Sequence, residues 1–232
     1  MFQIIKALQK STWFTILVFA LILNFGVSAA HRAVLQQGIA EEVLRFHVLA
    51  NSDSDRDQEI KYMVRDEVLR WMQEAETGQG TEAGQEIIEL AETEYKGAAL
   101  AESGSEPEEK AAMEQFLTLH LEEIEQIADR VLAEQNVDYH AEAALTTCYF
   151  PDRTYGDCTF PAGWYKALRI SLGEAKGHNW WCVLYPKLCF SDCLHAVVDE
   201  DEMEELKGVL TVEEYESLLR KPGEWKIAFR WF

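Results

Sequence analysis

The sequence predicts a single two-layer α/β domain: a mixed sheet of about four strands with helices packed on one face, preceded by an N-terminal signal or anchor helix and followed by an acidic C-terminal tail. Three observations predict it. Residues 43–50 alternate apolar and polar side chains and pass through a polar turn into an amphipathic helix. A long apolar stripe at helical spacing follows, and after Asn136 the pattern changes to period two and recurs in three segments. Strand, helices, then strands is the order of one sheet with helices laid against it.

The chain begins with Ser11 to Ala30, twenty residues without a charge, preceded by Lys6 and Lys10 and followed by an increasingly acidic sequence. That is the layout of a positive n-region and an apolar h-region. Val27-Ser28-Ala29 places small residues at the two positions a signal peptidase reads, and the run is also long enough to span a bilayer, so cleavage stays open. A buried helix of a soluble protein would leave the basic start without a partner. The chain is therefore expected to leave the cytoplasm, with residues 1–30 as signal peptide or anchor, 31–195 as the extracytoplasmic domain and 196–232 as the tail.

The first strand, VLRFHVLA, sets Leu44, Phe46, Val48 and Ala50 on one side and Arg45 and His47 on the other. Asn51-Ser52-Asp53-Ser54 supplies turn and N-cap chemistry, with Ser54 and Asp57 at capping-box-like spacing, and Ile60, Val64, Val68 and Trp71 continue at helical intervals. Thr77-Gly78-Gln79-Gly80 ends that helix, and a second is expected over roughly 82–96. From Glu108 to Gln135 one helix is expected, with Met113, Phe116, Leu117, Leu121, Ile124, Ile127, Ala128, Val131 and Leu132 along a single core-facing stripe.

A strand follows over 137–145, then a long loop punctuated by Pro151, Gly156 and Pro161. Segments 168–172 and 180–185, joined by Gly173 to Gly177, are expected to form a hairpin. Residues 199–205 carry six acids in seven positions and are expected to open a short, solvated helix reaching about Arg220. The last eight residues, WKIAFRWF, have the pattern of an edge strand or of a cover for an apolar patch.

The formal charge of −20 over 232 residues, carried almost wholly outside the basic N-terminus, repels nucleic acid and anionic lipid headgroups; solubility is its plainest role. All five cysteines, Cys148, Cys158, Cys182, Cys189 and Cys193, lie within residues 148–193, and in an exported chain they are disulfide candidates. Cys182 and Cys189 flank a proline-containing reversal and are the leading pair. Zinc is the competing reading, but the C-x6-C-x3-C spacing lacks paired C-x2-C elements, and no metal or cofactor is expected.

The polar sides of the three strands hold Arg45, His47, His140, Glu142, Arg169 and Ser171, which would share a sheet face if the registers cooperate. They read as the wet face of a half-covered sheet, or alternatively as the site of a secreted hydrolase built on His47, His140 and Glu142. The sequence contains no G-x-S-x-G, H-E-x-x-H, P-loop or G-x-G-x-x-G motif, and no catalytic residue is assigned. Trp180 and Trp181 are adjacent on a strand and so must point to opposite faces; at least one lies outside the helical interface, either covered or as an aromatic anchor for a partner.

Three stretches, RFHVLANSDSDRDQEIKYMVRDEVL, CYFPDRTYGDCTFPAGWYKALRISLGEAKGHNWWCVLYPKLC and the acidic tail, together resemble the stage II sporulation protein R family over most of residues 43–193. The resemblance implies an export signal made in the forespore of an endospore-forming bacterium and released between the forespore and mother-cell membranes. There it would switch on the membrane-embedded aspartic protease that processes the precursor of the mother-cell sigma-E factor. Carried onto this chain, the family's motifs mark Asn51, Ser52 and Asp53 in the turn and Arg65 and Asp66 in the helix. They also mark Tyr155 and Gly156 in the loop, and His178, Asn179, Trp180, Trp181, Cys182 and Cys189 around the last strand. Apart from the two cysteines, which are the possible disulfide, these are the candidate partner-binding residues, although the turn residues also suffice to build a strand-to-helix connection. Cys148, Cys158 and Cys193 depart from the family pattern, and family members often differ at His178.

Overall fold

A computed structural model describes residues 2–77, 106–188 and 200–219. Helix α1 runs unbroken over Phe2–Glu42, straight through Val27-Ser28-Ala29. Its stretch from Trp13 to Glu42 is long and apolar enough to cross a membrane by length and composition, and Trp13, Phe14, Phe19 and Phe25 are each exposed. Its last turns belong to the domain: Ile39 is fully buried, and Val43 alone separates α1 from strand β1 (Leu44–Leu49).

Strand β1 enters helix α2 (Asp55–Thr77) through the expected polar turn. The Ser54 hydroxyl accepts from the Asp57 N–H and the Ser54 carbonyl from the Gln58 N–H, which satisfies donors a helix start leaves open. Two helices, α3 (Glu106–Leu119) and α4 (Leu121–Glu134), occupy the stretch expected to be one. The break falls at His120, where the backbone turns to φ −107° and the ring packs on Phe116 and Trp71. The apolar stripe continues across it, since Leu117, Ile124, Ile127, Ala128, Val131 and Leu132 are all buried.

The remaining strands are β2 (Ala141–Phe150), β3 (Arg153–Tyr155), β4 (Cys158–Phe160), β5 (Gly163–Leu172) and β6 (Asn179–Tyr185). The four long ones form the expected mixed sheet, in the order β2-β5-β1-β6, with β1 parallel to β5 and antiparallel to β6. The hairpin expected between β5 and β6 does not form. The first strand inserts between them, and residues 173–178 cross over its end, because β1 offers both edges to strands that lie more than a hundred residues away. The loop expected after β2 contains the small β3–β4 hairpin, turned at Gly156 with φ 55°.

One sheet face packs Leu44, Phe46 and Val48 with Leu168, Ile170 and Leu172 against α2, α3 and α4. The opposite face is covered as well, over much of its area, by the end of α1, the β3–β4 hairpin and helices α5 (Glu200–Val209) and α6 (Val212–Leu218). Arg45 and His47, expected on a wet face, are therefore 0% and 3% exposed. The solvated helix expected in the tail is instead two helices divided by a Thr211–Glu214 capping box, and their Leu206, Leu210 and Leu218 are buried against this second face. The helix expected over 82–96 and the edge strand or apolar cover expected over 225–232 lie outside the described residues.

Candidate functional site

The crossing of residues 173–178 over the end of β1 ties two distant sequence motifs into one knot. Asn51 is its centre: its side-chain carbonyl accepts from the Glu174 N–H at 2.9 Å, its backbone carbonyl from the Lys176 N–H at 3.2 Å, and its amide donates to Asp57 at 2.9 Å. Gly173 has φ +55°, and a Cβ there would lie 2.4 Å from the Asn51 side-chain oxygen; a Cβ on Gly177 would lie 2.1 Å from the backbone oxygen of Ser52. The knot thus closes only with glycine at both positions.

Charge is fixed around it. Asp57, 8% exposed, accepts from Asn51, Ser52 and the Tyr139 hydroxyl. Burial acts to raise its pKa, but the hydrogen bonds from Ser52, Tyr139, Asn51 and Ser54 outweigh burial and hold the carboxyl below its ordinary range. Asp53 takes the backbone N–H of His178 at 2.6 Å and its ring Nδ1 at 2.5 Å, and these bonds lower Asp53 as well. The buried Lys61 ammonium donates to Gln58 and to the His178 carbonyl, while Gln58 donates to the carbonyl of Ser52. Burial, together with the charge of Arg65, lowers the Lys61 pKa.

The tryptophan pair divides between the two faces as strand geometry requires. Trp180 packs edge-on to Phe46 on the helical side and carries the Arg65 guanidinium 5.0 Å from its ring centre. Arg65 also lies over Tyr62 and pairs with Asp66 at 2.6 Å, so this ion pair sits within α2 and does not reach the turn. Trp181 lies on the opposite face, stacked on His47 at 4.9 Å and edge-on to Phe150 at 4.8 Å, with Arg153 5.5 Å from its ring centre. Tyr155 donates its hydroxyl to the Trp181 carbonyl and accepts from Arg45. The marked residues thus separate: Asn51, Ser52, Asp53 and His178 form the knot over the end of β1, Trp180, Arg65 and Asp66 lie together on the helical side, and Trp181 meets Tyr155 on the opposite face, with Gly156 at the hairpin turn.

The three residues of a hydrolase site are not brought together. His47 is buried, whereas the exposed His140 pairs with Asp129 of α4 and stands four residues from Ala144, the residue level with His47 across the sheet, a span of about 13 Å. His47 Nε2 lies 3.4 Å from the Cys148 sulfur, the spacing of a base and a nucleophile, yet the electrostatics run the wrong way. Burial, then the charges of Arg169 and Arg45, push His47 down to about 3, and burial pushes the Cys148 thiol up. Both are neutral, where an activated pair would be thiolate and imidazolium.

Among the described residues no cluster of three or more His, Cys, Asp or Glu side chains is placed to hold a metal. Cys182 is buried in the core, and Cys189, its expected disulfide partner, lies outside the described residues together with Cys193.

Sequence reasoning missed Gln58, Lys61, Tyr139 and the two glycines as parts of the knot. The paired glycines of GEAKG were the available signal, since two such positions four residues apart mark a backbone that must pass close to something else.

The family model described as stage II sporulation protein R matches residues 40–106 and 97–195, which include both strands of the knot. The curated stage II sporulation protein R of Bacillus subtilis (strain 168) is 29% identical over 212 residues, covering 86% of this chain and 80% of that protein. No solved structure matches the chain. The motifs that meet at Asn51 and His178 fall inside the matched region, and the chain belongs to the stage II sporulation protein R family, a family of sporulation proteins.

Proposed function

We propose that this chain is an exported sporulation signal. Its apolar α1 directs it out of the cytoplasm, and its domain binds the extracytoplasmic part of a membrane-embedded aspartic protease and switches on processing of the sigma-E precursor. The observation that carries this reading is the knot: residues spent on joining two distant motifs produce a charged surface over the end of β1, and the described residues include no set of groups arranged for bond making. A signal needs such a surface and nothing more, because a ligand shifts its receptor only by binding the active conformation more tightly. Export fits either fate of the N-terminus. Cleavage after Ala29 would remove the exposed apolar run while sparing Ile39 and the rest of the packed helix end, and an uncleaved chain would keep the same domain on the membrane.

The test is genetic. Loss of the gene is expected to stop sigma-E precursor processing in sporulating cells, a chain lacking residues 11–30 to fail to restore it, and a chain with a foreign export signal to restore it. Undisturbed processing in the deletion strain would refute the proposal.

A further inference from the structure

The second sheet face holds a row of cationic and aromatic side chains for which the described residues provide no counter-ion. Strand pairing puts Arg169, His47 and Trp181 side by side across β5, β1 and β6, and Arg153 of the small hairpin lies over the Trp181 ring. In a chain with 41 acids and 21 lysines and arginines, a carboxylate would be expected beside each arginine. Among the described residues none pairs with Arg169, Arg153 or Arg45. The imbalance reaches single atoms: Arg169 Nε and His47 Nδ1 are both buried and without a hydrogen-bond partner. Buried polar groups in folded proteins are otherwise almost always paired, and an unpaired buried cation is costly.

We propose that the row Arg169, His47 and Trp181, with Arg153 over the indole, receives a single carboxylate side chain from an extended segment of the partner protein. This rests on the signalling reading above and names the chemistry of its contact. A carboxylate suits the site because a guanidinium offers it paired N–H donors, and His47 supplies a further nitrogen at the floor. The half-exposed Trp181 gives an apolar wall for the residue next to the acid. A protein segment is favoured over a lipid headgroup or other polyanion because the net charge of −20 repels an extended negative surface, whereas one acidic side chain meets only the local field. The row also borders β6, an outer strand of the sheet, beside which an extended segment can lie.

The test uses the full chain in lipid nanodiscs, with the Trp181 indole and the His47 ring followed by NMR. N-acetylglutamic acid α-amide is the probe, and N-acetylglutaminamide, inorganic phosphate and phosphatidylglycerol vesicles are the controls. Saturable shifts of both rings are expected with the glutamate probe, at least tenfold weaker with the glutamine probe and in Arg169→Gln. Arg169→Gln is expected to melt at or above the wild-type temperature, since it removes an unpaired cation; Arg153→Gln, altered at the hairpin surface, provides a second variant with the same weakened binding.

Equal response to the two probes, no saturable shift, or tighter binding of phosphate or vesicles would overturn the proposal. So would a lower melting temperature in Arg169→Gln, which would show that the chain's own acids already serve the row. In sporulating cells the double variant Arg153→Gln with Arg169→Gln is expected to lower precursor processing at least tenfold. Normal processing by a double variant that has lost the glutamate response would overturn the docking role and leave the signalling function standing; absence of processing with the wild-type chain would instead count against the signalling function.

Discussion

The two faces of the sheet are built on opposite principles. Toward α2, α3 and α4 every inward residue of β1 is apolar, and Phe46, Val48, Leu168 and Ile170 close a core of the ordinary kind. On the other face the same strand presents Arg45 and His47, and burial there is achieved by chain segments from both ends of the sequence. Arg45 is caged by the rings of Phe150, Tyr155, Phe160 and Tyr165, at 4.5 to 5.8 Å, and donates to the carbonyl of Cys182 and the hydroxyl of Tyr155. One face holds the fold together by excluding water from carbon; the other keeps charge dry by surrounding it with aromatic rings and carbonyls. Apolar packing and buried charge are thereby assigned to different sides of one strand.

Substitutions can break this division or sharpen it. The largest expected effect is on the apolar face, where Leu168→Ala should cost about 3–4 kcal/mol in a denaturant melt, through lost transfer energy and the cavity left behind. A loss under 1 kcal/mol would mean that this face is not the main source of stability.

Acid sensitivity is next. His47 stays neutral in the folded state down to about pH 3, while the unfolded chain takes up the proton near pH 6.5. The unfolded state therefore binds more protons between those values, and stability should fall by about 3 kcal/mol as the pH drops from 6.5 to 4. His47→Leu should flatten that slope, as followed by melts from pH 7 to pH 4.

Asp57→Asn in the knot should cost about 2 kcal/mol at pH 7, because it replaces a carboxylate that accepts from Asn51, Ser52 and Tyr139. Since the folded pKa is depressed, the wild-type advantage is present at neutral pH and is lost as pH falls through the folded value, so the two chains should converge in acid. The smallest effect carries the opposite sign. Arg169→Met should leave stability unchanged or raise it by about 1 kcal/mol, and a clear loss would show that the second face is held by its cations after all.

The apolar face was legible in the sequence because periodicity reports local geometry. The alternation of residues 43–50 and the stripe from Met113 to Leu132 follow from strand and helix periods alone. The break at His120 was not, since no proline or glycine marks it and packing on Phe116 and Trp71 accompanies it. The second face was misread for a related reason. Period two says that Arg45 and His47 point away from Phe46, but only the return of α1, α5 and α6 decides whether that side meets water.

The absent β5–β6 hairpin repeats the lesson, as short loops favour neighbours in sequence while β1 takes both edges from far along the chain. Of the candidate site, the family motifs identified Asn51, Asp53 and His178, and the structure joins them. It places Tyr155 and Trp181 in a separate group, a division that depends on which face each strand residue occupies.

The unbroken passage of α1 into β1 has a mechanical consequence. From Ala30, the last residue of the uncharged run, to the buried Ile39 is nine helical residues, roughly 13 Å of stiff rod. With α1 left in a bilayer, the domain cannot wander as it would on a slack tether; it is carried at a nearly constant height and searches a thin layer parallel to the membrane. Were its partner set in a facing membrane, as the proposed function has it, contact would depend on the width of the gap, and a rod of fixed length would make the chain a gauge of how closely two membranes have approached.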